Sequence, residues 1–258
     1  MAKWMLSAKK ADFEAIGKKF GIDPVIARVI RNRDVLELEE IDNYLNGDLS
    51  NMHNPYLLKD MEKAVEKILE AIAENKKIRV IGDYDADGIC SSCILKEGLG
   101  LLKAQVDVKV PNRIKDGYGL NESMIEKAKE DGIDMVITCD NGIAAENAIA
   151  LANELSMTVI VTDHHEVPFV LDESGNKCYQ LPPAYAIVNP KQEDCPYPFS
   201  GICGAMVAYK LIQALLKKVG KEVPKTFLEV AAFATICDVM ELKDENRIVV
   251  KYGIESMK

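Results

Sequence analysis

Three aspartates stand at alternate positions in GDYDADG, residues 82–88: Asp83, Asp85 and Asp87, with Gly88 behind them. Alternate carboxylates followed by a turn glycine are how a calcium-binding EF-hand loop begins. Counted from Asp83, however, the twelfth position, which should be a bidentate Glu, is Ile94, and an apolar strand precedes the loop where a helix should be. More polar residues of the same kind follow other apolar runs. VITC leads into Asp140, and VIVT leads into Asp163, His164 and His165. Taken singly, an Asp in such a place commonly caps a helix, and Asp140 or Asn141 ahead of GIAAENA could do only that. His164 and His165, though, are two of only three histidines in the chain, and their surroundings are acidic. Carboxylates packed this closely raise one another's pKa and need a cation to stay ionised. Carboxylates alone suit magnesium or calcium; a histidine beside them shifts the preference toward manganese, with zinc or iron open. Two such ions about 4 Å apart can turn a water into hydroxide and neutralise the oxygens of a phosphodiester.

Five short β-branched runs must position these groups: 78–82, 106–110, 134–139, 157–162 and 185–189. Apolar throughout and separated by helix-length amphipathic stretches, they predict parallel strands buried on both faces. The expected fold is α/β, a doubly wound and mainly parallel sheet over 76–258, with a helical N-terminal extension over 1–75. In such sheets the ligand crevice lies beyond the carboxyl ends of the strands, so Asp83, Asp85, Asp87, Asp140, Asp163, His164 and His165 should converge. The Pro-rich stretch 166–183 predicts a long irregular loop beside the histidine pair, and helices are expected over 202–220 and 223–240.

The 258 residues, 48% hydrophobic and 28% charged, suit a large globular domain, and no apolar run approaches the ~20 residues that cross a bilayer. The charged N-terminus has no signal-peptide core, which predicts a cytoplasmic protein. Seven scattered cysteines predict reduced thiols, and the Cys90/Cys93 pair, set in an apolar helical pattern, predicts small core residues rather than a zinc or redox site. A net charge of −9 argues against polyanion binding by the whole surface and leaves room for a local basic groove.

In these motifs the chain resembles the DHH phosphoesterase superfamily, named for the triplet seen here as Asp163, His164 and His165. VIGDYDADGICSSCIL is similar to the family's first motif, TCDNG to its second, VTDHH to its third, and FATICDVMEL, with Asp238, to its fourth. Phrases such as NPYLLKDMEKAVEKI, VPNRIKDGYGL and DENRIVVKYGIE extend the resemblance, over essentially the whole chain, to the RecJ-type single-strand-specific exonucleases. The resemblance implies a metal-dependent 5′-to-3′ exonuclease that releases nucleoside 5′-monophosphates from single-stranded DNA in repair and recombination. It implies metal ligation by Asp85, Asp87, Asp140, His164 and Asp238, with Asp140 bridging two ions, Mn2+ or alternatively Mg2+. Asp83 and Asp163 would take supporting roles, His165 would contact the scissile phosphate or the leaving oxygen, and Arg113 would clamp a phosphate. A metal partner also accounts for Asp238 at a helix C-terminus, where a carboxylate opposes the dipole. A single-strand-binding protein or a helicase would be a partner. The family's glycine-rich second lobe and OB-fold have no counterpart before residue 258, which implies an isolated catalytic lobe. Two other functions remain open: a phosphodiesterase for oligonucleotides or cyclic dinucleotides, and a non-catalytic DHH-like module that recruits replication partners.

Overall fold

The computed structural model describes residues 9–112 and 119–258. Four helices come first: α1 (Phe13–Phe20), α2 (Pro24–Asn32), α3 (Leu38–Asn46) and α4 (Met61–Ala73). Asp12 and Asp23 cap the first two by accepting from Ala15 N and Val25 N, and Pro24 fills the first helical position of α2, where no N–H is needed. Helices α1 to α3 close around a small cluster of Ile30, Val35 and Ile41. Helix α4 instead sends Met61, Ala64, Val65, Ile68 and Ala71 into the main core beneath the sheet.

Seven strands follow among the described residues: β1 (Lys77–Gly82), β2 (Gln105–Lys109), β3 (Met135–Cys139), β4 (Thr158–Thr162), β5 (Phe169–Leu171), β6 (Lys177–Tyr179) and β7 (Ala186–Val188). Five of them form one sheet in the order β2-β1-β3-β4-β7, every pairing parallel. The expected α/β fold is the observed one, and each of these five strands ends within one residue of its expected limits. The reason is burial on both faces. Ile78, Val80, Ile137, Ile160 and Val188 enter one core, with α4, α5 (Ala86–Leu101), α8 (Gly204–Lys218) and α9 (Lys225–Cys237). Their neighbours Ile81, Val136, Val159, Val161 and Ile187 enter the other, with α6 (Glu122–Glu130) and α7 (Glu146–Glu154). A last helix, α10 (Asp244–Ser256), packs along α9.

Three local expectations change. The stretch 166–183 is not wholly irregular: β5 and β6 pair as an antiparallel hairpin. Its turn is set by Asp172, which accepts from Ser174 N and Asn176 N, and Gly175 adopts φ 81°. Cys93 is not a core residue. It is exposed, because Ile89, Cys93, Lys96 and Gly100 share the one solvent-facing stripe of α5, and Cys90 is only half buried. The residues of α10 carry an expected motif but no expected helix. All seven cysteines are free, and no helix among the described residues is long and apolar enough to cross a membrane.

Candidate metal centre

The strand order places a switch point between β1 and β3: the chain leaves β1 for β2 on one side and later returns to β3 on the other, so a crevice opens above their carboxyl ends. Asp83 follows β1, Asp140 follows β3, and Asp163 with His164 follows β4. Asp140 takes the left-handed conformation, φ 59°, which Asp tolerates better than most residues, while its N–H still donates to Thr162 O at 3.1 Å. Strand register is thus kept to the last residue, and the side chain turns into the crevice with 1% exposure.

Two glycines permit the close approach of the helices. A Cβ on Gly88 would stand 2.5 Å from Asp83 O, so only glycine lets the first turn of α5 sit on the end of β1. A Cβ on Gly204 would stand 2.8 Å from Asp140 Oδ1, and its absence lets α8 begin against that carboxylate. Cys203 offers α8 no side-chain cap. Asp87, in the first turn of α5, serves instead: its Oδ2 accepts from Gly204 N at 2.6 Å and its Oδ1 from Ala205 N at 2.8 Å. A helix N-terminus is a natural anion seat, and these two bonds fix the orientation of the Asp87 side chain. Asp85 is exposed and caps α5, accepting from Gly88 N at 2.9 Å.

His164 brings the sides together. Its Nε2 lies 3.1 Å from Asp140 Oδ1, 3.5 Å from Asp87 Oδ2 and 3.8 Å from Asp238 Oδ2, the last residue closing α9 as its C-cap. Among the described residues, three sets offer ligand atoms within 4.8 Å of one another: Asp83, Asp85 and Asp140; Asp87, His164 and Asp238; Asp140, His164 and His165. Asp140 and His164 each belong to two of the sets, so the geometry suits two adjacent ions.

The electrostatics show whether ions fit. Burial, then Asp87 and Asp85, push the Asp140 carboxyl up to about 11. Burial and Asp87 also raise Asp238, and burial lowers His164 against the pull of Asp87. Neither carboxylate oxygen of Asp140 receives a hydrogen bond among the described residues; His164 Nε2 is near Oδ1 but not aligned with it. Buried, crowded carboxyl oxygens with no donor are suited to a divalent cation, and carboxylates with one imidazole match the donor preferences of Mn2+ and Mg2+.

Asp163 differs from the other acids because its oxygens are occupied. Oδ1 accepts from His164 N at 2.7 Å, from His165 N at 3.1 Å and pairs with His165 Nδ1 at 2.7 Å, while Oδ2 accepts from Ile143 N at 2.9 Å. Burial works to raise its pKa, and these bonds, His165 first, bring it below the ordinary value. The hydrogen bond to Asp163 raises His165, burial opposing, and the ring is half exposed. Asp83 is fully buried and accepts from Tyr84 N at 2.7 Å. Arg113 lies outside the described residues.

Two contributors were not foreseen. Asn189, fully buried, follows β7 as the acids follow their strands, and its Nδ2 donates to His165 O at 3.0 Å. The strand-end rule would have found it. Gly204 carries no such signal, since its importance depends on where α8 begins.

The DHH family, N-terminal domain, matches residues 77–235. Among curated relatives, the single-stranded-DNA-specific exonuclease RecJ of Bacillus subtilis is 37% identical over 257 residues, which cover 99% of this chain and 31% of that protein. Among solved structures, RecJ of Thermus thermophilus in complex with Mn2+ superposes with a TM-score of 0.72 at 29% identity, covering 94% of this chain and 33% of that one. Exonuclease RecJ bound to manganese gives a TM-score of 0.67 at 33% identity, covering 77% and 48%. The chain spans less than half the length of the curated relatives it matches. With a domain match that takes in all three strand-end motifs and ends three residues short of Asp238, the chain belongs to the DHH family.

Proposed function

We propose that the chain is the catalytic lobe of a metal-dependent 5′-to-3′ exonuclease that removes nucleoside 5′-monophosphates from single-stranded DNA in repair and recombination. The observation that carries this is Asp140, buried, with no hydrogen bond to either carboxyl oxygen among the described residues and with other ligand-type side chains around it. The likeness to single-stranded-DNA-specific exonucleases supplies the reaction and the substrate.

Asp85, Asp87, Asp140, His164 and Asp238 are the proposed ligands of two divalent ions, Mn2+ in preference to Mg2+, with Asp140 between the two. When bound, such a pair supplies an activated water and charge neutralisation at the scissile phosphate. Asp87 is fixed in orientation because the start of α8 donates to both its oxygens. Asp83 supports the end of β1, and Asp163 orients His165 by holding Nδ1. His165, its pKa raised by that bond, presents Nε2 to the phosphate or hands a proton to the departing 3′ oxygen. Arg113 clamps a phosphate. The proposed division is a helical extension over 1–75 and a catalytic domain over 76–258, and α4 packing into the main core supports the extension lying on that domain. Free cysteines and DNA as the proposed substrate support a cytoplasmic location, and a single-strand-binding protein or helicase is the proposed partner.

End-labelled single and double strands, incubated with Mn2+ or Mg2+, test the proposal. Mononucleotides should appear from the single strand alone and disappear with a chelator. Faster cleavage of a dinucleotide than of a long strand would redirect it to a small-molecule phosphodiesterase; ions bound in calorimetry without any turnover would overturn it.

A further inference from the structure

Helix α9 closes with two bonds, Met240 N to Thr235 O and Val239 N to Ile236 O, both 3.1 Å. This is the Schellman pattern, with Asp238 as C-cap and Val239 at the position that must turn left-handed. Val239 has φ 55°. Glycine is the usual residue there and Asn the next, because a β-branched side chain crowds the backbone in that conformation. The other non-glycine residues with positive φ among those described are Asp34, Asp60, Asn75, Lys103, Asp140, Ser156 and Asp244, so Val239 is the one that is apolar and β-branched. Packing does not explain it either, since Val239 is 86% exposed. A residue that suits neither its backbone nor its environment points to a role in function.

Its place supplies that role. Val239 directly follows Asp238, whose Oδ2 is 3.8 Å from His164 Nε2, and its side chain stands exposed next in sequence to that carboxylate. Ile236 and Phe233, also exposed, continue an apolar stripe along the same end of α9. We propose that Val239 contacts the substrate, as an apolar rest for the base of the nucleotide whose phosphate lies at the centre. This rests on the exonuclease reading and adds a residue to it. An uncharged apolar contact accepts every base, as removal of nucleotides without regard to sequence requires.

Calorimetric titration of the Mn2+-loaded chain with thymidine 5′-monophosphate and with 2-deoxyribose 5-phosphate, which lacks the base, isolates the contact. The wild type should prefer the nucleotide roughly tenfold. Val239→Gly and Val239→Asn, which suit the left-handed turn, should bring the ratio close to one, leave the affinity for deoxyribose phosphate unchanged, and melt a few degrees higher. Val239→Ile should keep the preference. A glycine variant that retains the preference, or that loses affinity for both ligands alike and so acts only through Asp238, overturns the inference. If neither ligand binds the wild type, the exonuclease reading itself falls, and a different result reveals it.

Discussion

Lys210 and Glu245 are both wholly buried, and their charged ends lie 2.7 Å apart. Lys210 Nζ also donates to His53 O at 2.7 Å, Tyr197 O–H donates to Glu245, and at the rim His53 Nε2 pairs with Asp244 Oδ1 at 2.8 Å. Asp140 is as deeply buried and its two oxygens receive no hydrogen bond among the described residues. Glu245 Oε2 receives none either but faces the Lys210 ammonium, whereas no Lys or Arg among the described residues pairs with Asp140. The same physical requirement, that a buried charge be compensated, is met in one region by the protein and in the other left to something from outside. A cluster that closes on itself ties elements together: this one joins the N-terminal segment, α8 and α10. A cluster left open is arranged for chemistry.

The largest expected effect falls on the open cluster. Asp140→Asn removes the central carboxylate, so hydrolysis of single strands should fall by at least about 10^3-fold. The melting temperature without metal should hold or rise, because a carboxyl that burial and its acidic neighbours push up to about 11 no longer burdens the site. A variant that melts lower while retaining activity would make Asp140 structural and erase the contrast.

In the closed cluster the effects are reversed. Glu245→Ala leaves the Lys210 ammonium buried without a partner and should cost about 3–5 kcal/mol in chemical denaturation. Burial lowers the pKa of Lys210 and Glu245 only partly restores it, so the pair itself contributes little net stability. Replacing both together, Lys210→Met with Glu245→Leu, should therefore be close to neutral. If the double variant is as unstable as the single one, the ion pair is worth more than its desolvation and the cluster is not merely closed.

Metal separates the regions more gently. At a hundredfold excess over Kd, Mn2+ should stabilise the wild type by about 2.7 kcal/mol, or roughly 5–10 °C for a domain of this size. Asp140→Asn should lose the shift, and the Lys210→Met/Glu245→Leu variant should keep it. Equal shifts in both would place the ions elsewhere.

The open cluster was far more legible in the sequence than the closed one. Strands buried on both faces are continuous apolar runs, and whatever polar residue ends such a run must lie in the crevice, so Asp83, Asp140 and Asp163 could be assembled without coordinates. Even there the rule shows where a carboxylate lies and not what its oxygens do. Only the bonds around Asp163 reveal that it is spent on His165 and the backbone, whereas Asp140 is not. Lys210 sits within KLIQALLKK like an ordinary helix cation, and Glu245 opens a helix that the sequence pattern did not announce. Their pairing is a matter of tertiary packing, as is the approach of Gly204 to Asp140. The hairpin of β5 and β6 escaped because both its faces are exposed, so no buried side imposes an alternation.

The smallest effect concerns the rim of the closed cluster. The hydrogen bond to Asp244 raises the pKa of His53, with burial opposing; burial works to raise that of Asp244, and the bond and charge of His53 with the Glu245 N–H together bring it below the ordinary value. A histidine whose folded pKa is raised contributes stability that is fully present below its unfolded value, about 6.5, and is lost as the pH rises through the raised value. The lowered Asp244 contributes stability that is present above its unfolded value, about 3.9, and lost as the pH falls through the lowered one. The bond is therefore intact between those limits and weakens as the pH rises through the upper one. Both side chains are partly open to solvent, so the difference should stay below about 1 kcal/mol. Urea midpoints measured at pH 6 and pH 8 should show the wild type losing that much relative to His53→Gln, which has no proton to lose. Parallel pH dependences in the two proteins, or a wild type that gains on His53→Gln as the pH rises, would show that the His53–Asp244 contact carries no charge and that the closed cluster ends at Lys210 and Glu245.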